Sequence, residues 1–145
     1  MMRKDSGRTT EPEDLHKLAE RYTAAWCSKN PASVAEFFSV NGSLRVNDAE
    51  PALGRGAIAE VARGFMAAFP DIKVSMDELV VQPRGAVYRW TLRGTNTGPG
   101  GTGKRVCVSG FEEWQFDNDG LIAESLGHFD SDEYERQLEH GFSGA

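Results

Sequence analysis

The sequence has no excess of positive charge and no long apolar run. Its formal net charge of -6 argues against nucleic acid as a partner, because proteins that bind the phosphate backbone present a basic surface. The same charge gives no reason to expect an anionic membrane as a partner. No stretch approaches the roughly 20 consecutive apolar residues of a transmembrane helix. We therefore expect neither a nucleic-acid-binding protein nor a membrane protein.

Cysteine and histidine are too few and too scattered to predict a metal site. Cys27 and Cys107 lack metal-ligand spacing, and the three histidines, His16, His128 and His140, lie far apart in the chain. We interpret both cysteines as reduced thiols of an intracellular protein. No apolar secretion segment stands at the N-terminus, so the expected location is cytoplasmic.

Length and composition indicate one globular domain. The chain has 145 residues, of which 39% are hydrophobic and 26% charged, as is ordinary for a protein with its own apolar core. Residues 1–12 are charged and small without periodicity, which predicts a flexible N-terminal tail. Residues 13–140 are predicted to form the domain, and residues 141–145 a C-terminal tail.

The spacing of apolar residues predicts helices early in the chain and strands later. Three- and four-residue spacing predicts helices, and alternation predicts strands. The predicted helices cover 13–29, 32–38 and 57–69, and the predicted strands cover 39–47, 72–82 and 86–97. Two further strands and a short helix follow between 104 and 137. Helices followed by a run of strands indicate an α+β fold, with helices on one face of a curved sheet.

The segment from 104 to 137 carries the most informative pattern. Its two strands are joined by a tight turn at 117–120, whose Asn, Asp and Gly residues tolerate hairpin angles. Period-two spacing assigns one face of the first strand to Val106, Val108, Glu112, Trp114 and Phe116. It assigns one face of the second to Ile122, Glu124, Leu126, His128 and Asp130. Because burying an isolated charge is costly, we interpret these mixed faces as the wall of a half-apolar pocket.

Seven segments follow one another along the chain in a characteristic order. They are ERYTAAW, VAEFFSVNGSL, GRGAIAEV, FPDI, YRWTLRGTNTGP, SGFEEWQFDNDGLIAES and FDSDEYERQL. Together they resemble the SnoaL-like polyketide cyclases of the nuclear-transport-factor-2-like superfamily. The resemblance implies a cone, in which three N-terminal helices pack on a strongly curved mixed, mostly antiparallel sheet over a deep apolar cavity. It further implies a homodimer, commonly formed through the outer sheet face, and chemistry without a cofactor.

The resemblance to SnoaL-like cyclases implies a general base near the end of the last long strand. Asp130, in GHFDSDEY, matches that aspartate, and His128 stands two residues before it. The alternative for Asp130 is to cap the helix that follows, and the alternative for His128 is a half-exposed strand end. Asn96 stands where the family often has a histidine, and an asparagine donates hydrogen bonds but cannot transfer a proton.

Ketosteroid isomerases, in the same superfamily, imply a second set of roles. Tyr22 matches their first-helix tyrosine, and Glu112 matches their oxyanion-hole carboxylic acid. Their base would fall near Val46, where no carboxylate stands. We expect burial beside Trp114 and Phe116 to raise the pKa of Glu112. A third relative, limonene-epoxide hydrolase, would need an inward arginine that the pattern does not provide.

Two functions follow from these residues. The first is a cofactor-independent cyclase or isomerase, which uses a carboxylate base on an apolar, carbonyl-containing substrate. The alternative is a non-catalytic binding module that holds a small apolar ligand. The catalytic candidates are Asp130, His128, Glu112 and Tyr22. The candidates for ligand contacts are Trp26, Phe38, Phe69, Trp90, Asn96 and Trp114.

Overall fold

The computed structural model describes residues 12–142, and their side chains from residue 14 onward. The four helices are α1 (Pro12–Cys27), α2 (Pro31–Ala35), α3 (Gly54–Ala68) and α4 (Ser131–His140). The six strands are β1 (Phe38–Val46), β2 (Ala52–Leu53), β3 (Lys73–Gln82), β4 (Gly85–Thr95), β5 (Arg105–Phe116) and β6 (Ile122–Phe129). Of the predicted tails, residues 1–11 and 143–145 lie outside the described residues, whereas Gly141 and Phe142 are described and their backbone amides donate to Gln137 and Arg105.

All six strands form one sheet in the order β2-β1-β6-β5-β4-β3. Neighbouring strands are antiparallel except β1 and β6, which run parallel. The sheet is curled but not closed, and the helices pack on it. The prediction of an α+β fold with a mixed, mostly antiparallel sheet is therefore confirmed. Strand β2 was not predicted, because two residues are too few for alternation to be visible.

The core lies between the helices and the inner face of the sheet. Helix α1 packs on β3, and α3 packs on β1 and α2. The apolar stripe predicted for α1 is buried, with Ala19 and Tyr22 completely inaccessible. On the inner sheet face the alternating residues of β4 and β5 meet this stripe. The largest fully buried side chains of the core are Trp114, Tyr22, Tyr88, Phe38 and Phe69.

A bulge in β6 changes which of its residues face the core. Phe116 pairs with Ile122, but Gln115 pairs with Glu124, so Ala123 is an extra residue without a partner on β5. From that point the alternation is shifted by one position. Ser125 and Gly127 are buried, whereas Glu124 is exposed. The predicted inward face of this strand is therefore wrong beyond Ile122.

None of the helices between residues 12 and 142 is long and apolar enough to cross a bilayer. Within the same residues, no three His, Cys, Asp or Glu side chains are grouped as metal ligands would be.

Candidate functional site

An apolar cavity of about 60 Å³ lies between the helices and the inner sheet face. It is lined by Trp26, Leu44, Val46, Val61, Phe65, Val74, Tyr88, Trp90, Leu92, Val108, Glu112, Gly127, Phe129 and Tyr134. Among these described residues, Glu112 is the only carboxylate. Sites that enclose a small molecule usually measure roughly 300–1,000 Å³. A cavity deep enough for a substrate therefore stays a prediction.

Three donors hold the Glu112 carboxylate from three different elements. The Tyr22 hydroxyl, on α1, lies 3.0 Å from Oε1 and 3.1 Å from Oε2. The indole Nε1 of Trp114, two residues along β5, donates to Oε1 at 2.9 Å. The Ser125 hydroxyl, on β6, donates to the same oxygen at 2.6 Å. Oε1 thus receives three donors, whereas Oε2 is reached by Tyr22 alone.

Burial dominates the electrostatics of this carboxylate. Glu112 is only 7% exposed, and the loss of water raises its pKa above the ordinary value. The three hydrogen bonds act in the opposite direction, because they stabilise the anion, but they do not offset burial. The expectation of a raised pKa is confirmed. Burial, together with repulsion from Glu112, also raises the pKa of Tyr22 well above its usual range.

Aromatic rings form the surroundings of the network. The Tyr88 and Trp114 rings stack with their centroids 4.9 Å apart, and Tyr22 meets Trp114 edge-on at 5.2 Å. Tyr88 does not donate to the carboxylate. The Thr23 hydroxyl donates to the Ala19 carbonyl at 2.8 Å, so the Tyr88 hydroxyl, 2.5 Å from Thr23 Oγ1, must be the donor of that pair. Its only proton is therefore engaged.

An open groove of about 370 Å³ lies outside the cavity, between β1, α3 and α4. Five residues line both the groove and the cavity, and they separate the two spaces: Leu44, Val46, Val61, Phe65 and Tyr134. Gly64 of α3 lies on the groove side, and a Cβ at this position would meet no heavy atom within 4 Å. These five residues thus form the boundary between the groove and the carboxylate's cavity.

Comparison with known proteins agrees with this architecture. The family model for SnoaL-like polyketide cyclases matches residues 16–138. The chain belongs to this family. No curated protein matches the chain.

Solved structures with SnoaL-like folds are similar over most of this chain. TsrD from Streptomyces laurentii is 24% identical, with a TM-score of 0.78, over 90% of this chain and 98% of that one. A hypothetical protein with a ketosteroid isomerase-like fold from Catenulispora acidiphila, in complex with trimethylamine, is 15% identical with a TM-score of 0.75, over 89% and 94%. SalBIII, an epoxide hydrolase/cyclase-like enzyme, is 15% identical with a TM-score of 0.71, over 86% and 97%. At these identities the likeness shows the fold.

Two of the four catalytic candidates lie away from the SnoaL-like cavity. Asp130 is exposed, and its carboxylate caps α4 by accepting from the Glu133 amide at 3.1 Å. His128 faces outward after the bulge, where Nε2 lies 2.7 Å from the Glu113 carboxylate and the ring stacks on Phe111 at 4.7 Å. The structure brings Tyr22 and Glu112 together and leaves Asp130 and His128 on the outer side of the sheet.

The six predicted ligand contacts divide in the same way. Trp26 and Trp90 line the cavity, and Trp114 holds Glu112 behind it. Phe38 and Phe69 are fully buried in the core and are absent from the lining.

Asn96 holds a loop and does not reach the cavity. Its Nδ2 donates to the Ala68 carbonyl at 3.1 Å, and its Oδ1 accepts from the Thr102 amide at 2.8 Å. Both ends of the amide are therefore engaged in fastening the glycine-rich segment at 98–103 to α3. The prediction that Asn96 faces the pocket is wrong, because β4 ends at Thr95 and the alternation stops there.

Sequence reasoning missed three parts of the site. Ser125 is fully buried and bonds Glu112, but its position depends on the bulge at Ala123. Phe65 and Tyr134 separate cavity and groove. Phe65 was predicted as a core residue that also lines the cavity, but its place at the boundary with the groove was not predicted. Tyr134 was predicted only as part of a solvated helix, and its aromatic ring among charged residues was the available signal.

Proposed function

We propose that the protein is a cofactor-independent enzyme of the cyclase or isomerase type, and that Glu112 is its general base. The substrate would be a small apolar molecule with a carbonyl group. The observation that carries this proposal is the buried Glu112 carboxylate, the only one among the described residues that line the cavity. Its raised pKa brings it closer to neutrality, where a base both accepts and returns protons efficiently.

The arrangement of donors indicates which oxygen of the Glu112 carboxylate accepts the proton from the substrate. Oε1 is held by Tyr22, Trp114 and Ser125, which fix the orientation of the carboxylate. Oε2 has one donor and therefore keeps lone-pair capacity for a proton. In the proposed step, Oε2 takes a proton from the carbon beside the carbonyl. The C–H electron pair moves to the carbonyl oxygen and forms an enolate, which can then be reprotonated or attack a second carbonyl.

The groove between α3 and α4 is the proposed entrance. Its volume lies within the range typical of ligand sites, whereas the cavity alone is too small. Rotation of Phe65 and Tyr134 would join the two spaces, since these side chains stand between them. A neutral apolar substrate suits this route, because most of the shared wall is aliphatic or aromatic.

Hydrogen–deuterium exchange tests the base directly. We expect the protein to catalyse exchange of the α-hydrogens of cyclohexanone in D₂O, followed by NMR. Glu112→Gln should abolish the catalysed exchange, because an amide does not accept the proton. Glu113→Gln is the matched control, since Glu113 is the next residue on β5 but faces outward toward His128. Asp130→Asn tests the base expected from the sequence, and loss of exchange in that variant alone would reject Glu112.

A non-catalytic binding module is the second candidate, and one observation favours it. Glu112 has all three of its donors inside the protein, so the network is complete without a ligand. Such a network also serves to lock α1 to β5 and β6. Cyclohexanone that binds without any catalysed exchange would favour this candidate.

We also propose a homodimer formed through the outer face of the sheet. Alternation along the strands predicts Phe111, Val81 and Thr91 on this outer face. Phe111 and Thr91 do face outward, but Val81 pairs with Ala86, which pairs with the buried Trp114, so Val81 lies on the inner face. Thr91, predicted to contribute, is buried and bonds Asp77 and Ser109 instead. Arg89 lies over the Phe111 ring at 5.4 Å, with His128 stacked beside the same ring. The mixed apolar and charged surface suits an interface between copies.

A further inference from the structure

The indole nitrogen of Trp90 is a buried donor without an acceptor among residues 12–142. The ring lines the cavity and meets the Phe129 ring with their centroids 5.9 Å apart. It packs so closely on Gly110 that a Cβ there would come within 2.7 Å of Trp90 Cζ2. An unpaired buried donor destabilises the folded protein, because it has lost its water without gaining an acceptor. Because such groups are rare in native proteins, this one needs an acceptor that the described residues do not supply.

The neighbouring donors are already engaged with protein acceptors. Tyr22 and the Trp114 indole both donate to Glu112, and Tyr88 donates to Thr23. The resemblance to ketosteroid isomerases assigns the substrate's oxygen to Tyr22 and Glu112. In the structure the Tyr22 hydroxyl donates to the Glu112 carboxylate, so the carbonyl oxygen of the substrate needs a different donor.

We propose that the Trp90 indole N–H donates a hydrogen bond to the carbonyl oxygen of the ligand and makes the cavity selective for carbonyl compounds. This inference rests on the proposed function, in which Glu112 accepts the α-proton of the substrate. Trp90 would then bind the carbonyl oxygen of the same molecule. A hydrocarbon of the same shape would bury the N–H unpaired, and the ketone therefore binds more tightly. If the ketone becomes an enolate, the charge on its oxygen strengthens this hydrogen bond.

A matched pair of probes tests the donor. Cyclohexanone and methylenecyclohexane share one ring and differ only in whether an oxygen or a CH₂ group carries the double bond. The protein has three tryptophans, so indole-¹⁵N labelling gives three signals, which single Trp→Phe variants assign. We expect cyclohexanone to move the Trp90 indole proton downfield, as hydrogen bonding does. Methylenecyclohexane should bind severalfold more weakly and produce no such shift.

The variants separate the N–H from the ring. Trp90→Phe keeps an aromatic wall but removes the donor, so it should bind both probes with similar affinity. Trp26→Phe, which alters another tryptophan of the same lining, should keep the preference for the ketone. Tyr134→Phe should keep it as well, because Tyr134 lies at the boundary with the groove and its ring is retained.

Three results would overturn the inference. The first is a Trp90 indole proton whose chemical shift does not change when cyclohexanone is added up to its solubility limit. The second is a Trp90→Phe variant that still binds cyclohexanone more tightly than methylenecyclohexane. The third is a Tyr134→Phe variant that has lost this preference. The proposed base is judged separately. If Trp90→Phe loses the ketone preference, Trp90 is supported as the donor. If Glu112→Gln still catalyses α-hydrogen exchange at the wild-type rate, Glu112 is rejected as the base.

Discussion

The hydroxyl of Tyr22 lies almost equally far from the two oxygens of Glu112, at 3.0 Å from Oε1 and 3.1 Å from Oε2. The two residues are 90 positions apart in the chain, on the first helix and on the fifth strand. Both are buried, and burial raises the pKa of each. The protein therefore keeps two titratable groups in contact in an apolar interior, where an unpaired charge would be costly.

The first prediction concerns stability and pH. Because the pKa of Glu112 is higher in the folded protein than in the unfolded chain, the folded state binds the proton more tightly. The contribution of Glu112 to the free energy of unfolding should then be largest below the unfolded value near 4.5 and fall as pH rises from there through the folded pKa. The loss is about 1.4 kcal/mol for each unit between the two values. Glu112→Gln should remove this fall, as urea unfolding at several pH values would show.

The glutamine variant suits this test because it keeps most hydrogen bonds of the network and leaves only the Tyr22 proton without its acceptor. Its carbonyl oxygen can accept from Trp114 and Ser125, and its NH₂ group can donate to the Tyr22 oxygen. Glu112→Leu is the contrasting variant, since it leaves three buried donors unpaired and should lose several kcal/mol at every pH, at roughly 1–3 kcal/mol per donor. Identical pH profiles for the wild type and Glu112→Gln would mean that Glu112 is not responsible for the pH dependence.

The second prediction concerns Tyr22→Phe. The substitution keeps the buried ring but removes one donor to the carboxylate, so the anion loses stabilisation and the pKa of Glu112 should rise further. Stability at neutral pH should fall by about 1.5–3 kcal/mol, the usual contribution of a hydrogen bond to a charged group. Carboxyl ¹³C NMR titration measures the pKa. Tyr88→Phe is the control, because Tyr88 donates to Thr23, and a comparable rise there would contradict the assignment.

The sequence predicted the layers of this fold well, because its periodicities are long and regular. The stripe of α1 and the alternation of β4 each extend over ten or more residues, so one irregular position does not hide them. The bulge in β6 is different. Its extra residue, Ala123, carries no turn or glycine signal, so nothing in the sequence marks the position at which the inward and outward faces exchange. Only pairing with β5 reveals the shift, and His128 was therefore assigned to the wrong face.

The site was predictable in its parts but not in its connections. Alternation along β5 placed Glu112 and Trp114 on the inner face, and resemblance to ketosteroid isomerases associated Glu112 with Tyr22. The capping role of Asp130 was one of two alternatives, and the sequence offered no means to choose between them. Whether a donor such as Trp90 Nε1 finds an acceptor depends on three-dimensional packing, which residue patterns do not contain.

The third prediction concerns the proposed dimer. Phe111→Glu should convert it to a monomer, because the change places a new charge within the outer face beside Glu113. Sedimentation velocity at micromolar concentration measures the outcome. Leu53→Glu is the control, since Leu53 is 70% exposed on β2 at the far edge of the sheet. A wild-type protein that is already monomeric would reject the dimer, and dissociation by Leu53→Glu alone would move the interface to that edge.

The fourth prediction concerns the entrance. Gly64→Leu should fill the groove beside Phe65 and slow both cyclohexanone binding and α-hydrogen exchange severalfold, while the cavity itself is unchanged. The new side chain meets open space, and replacing a helical glycine should stabilise α3 by up to about 1 kcal/mol. Gly56→Leu is the matched control: it lies on the same helix, also in open space, but outside the groove. Equal exchange rates in the two variants would show that the substrate enters elsewhere, because only Gly64→Leu obstructs the path toward Glu112.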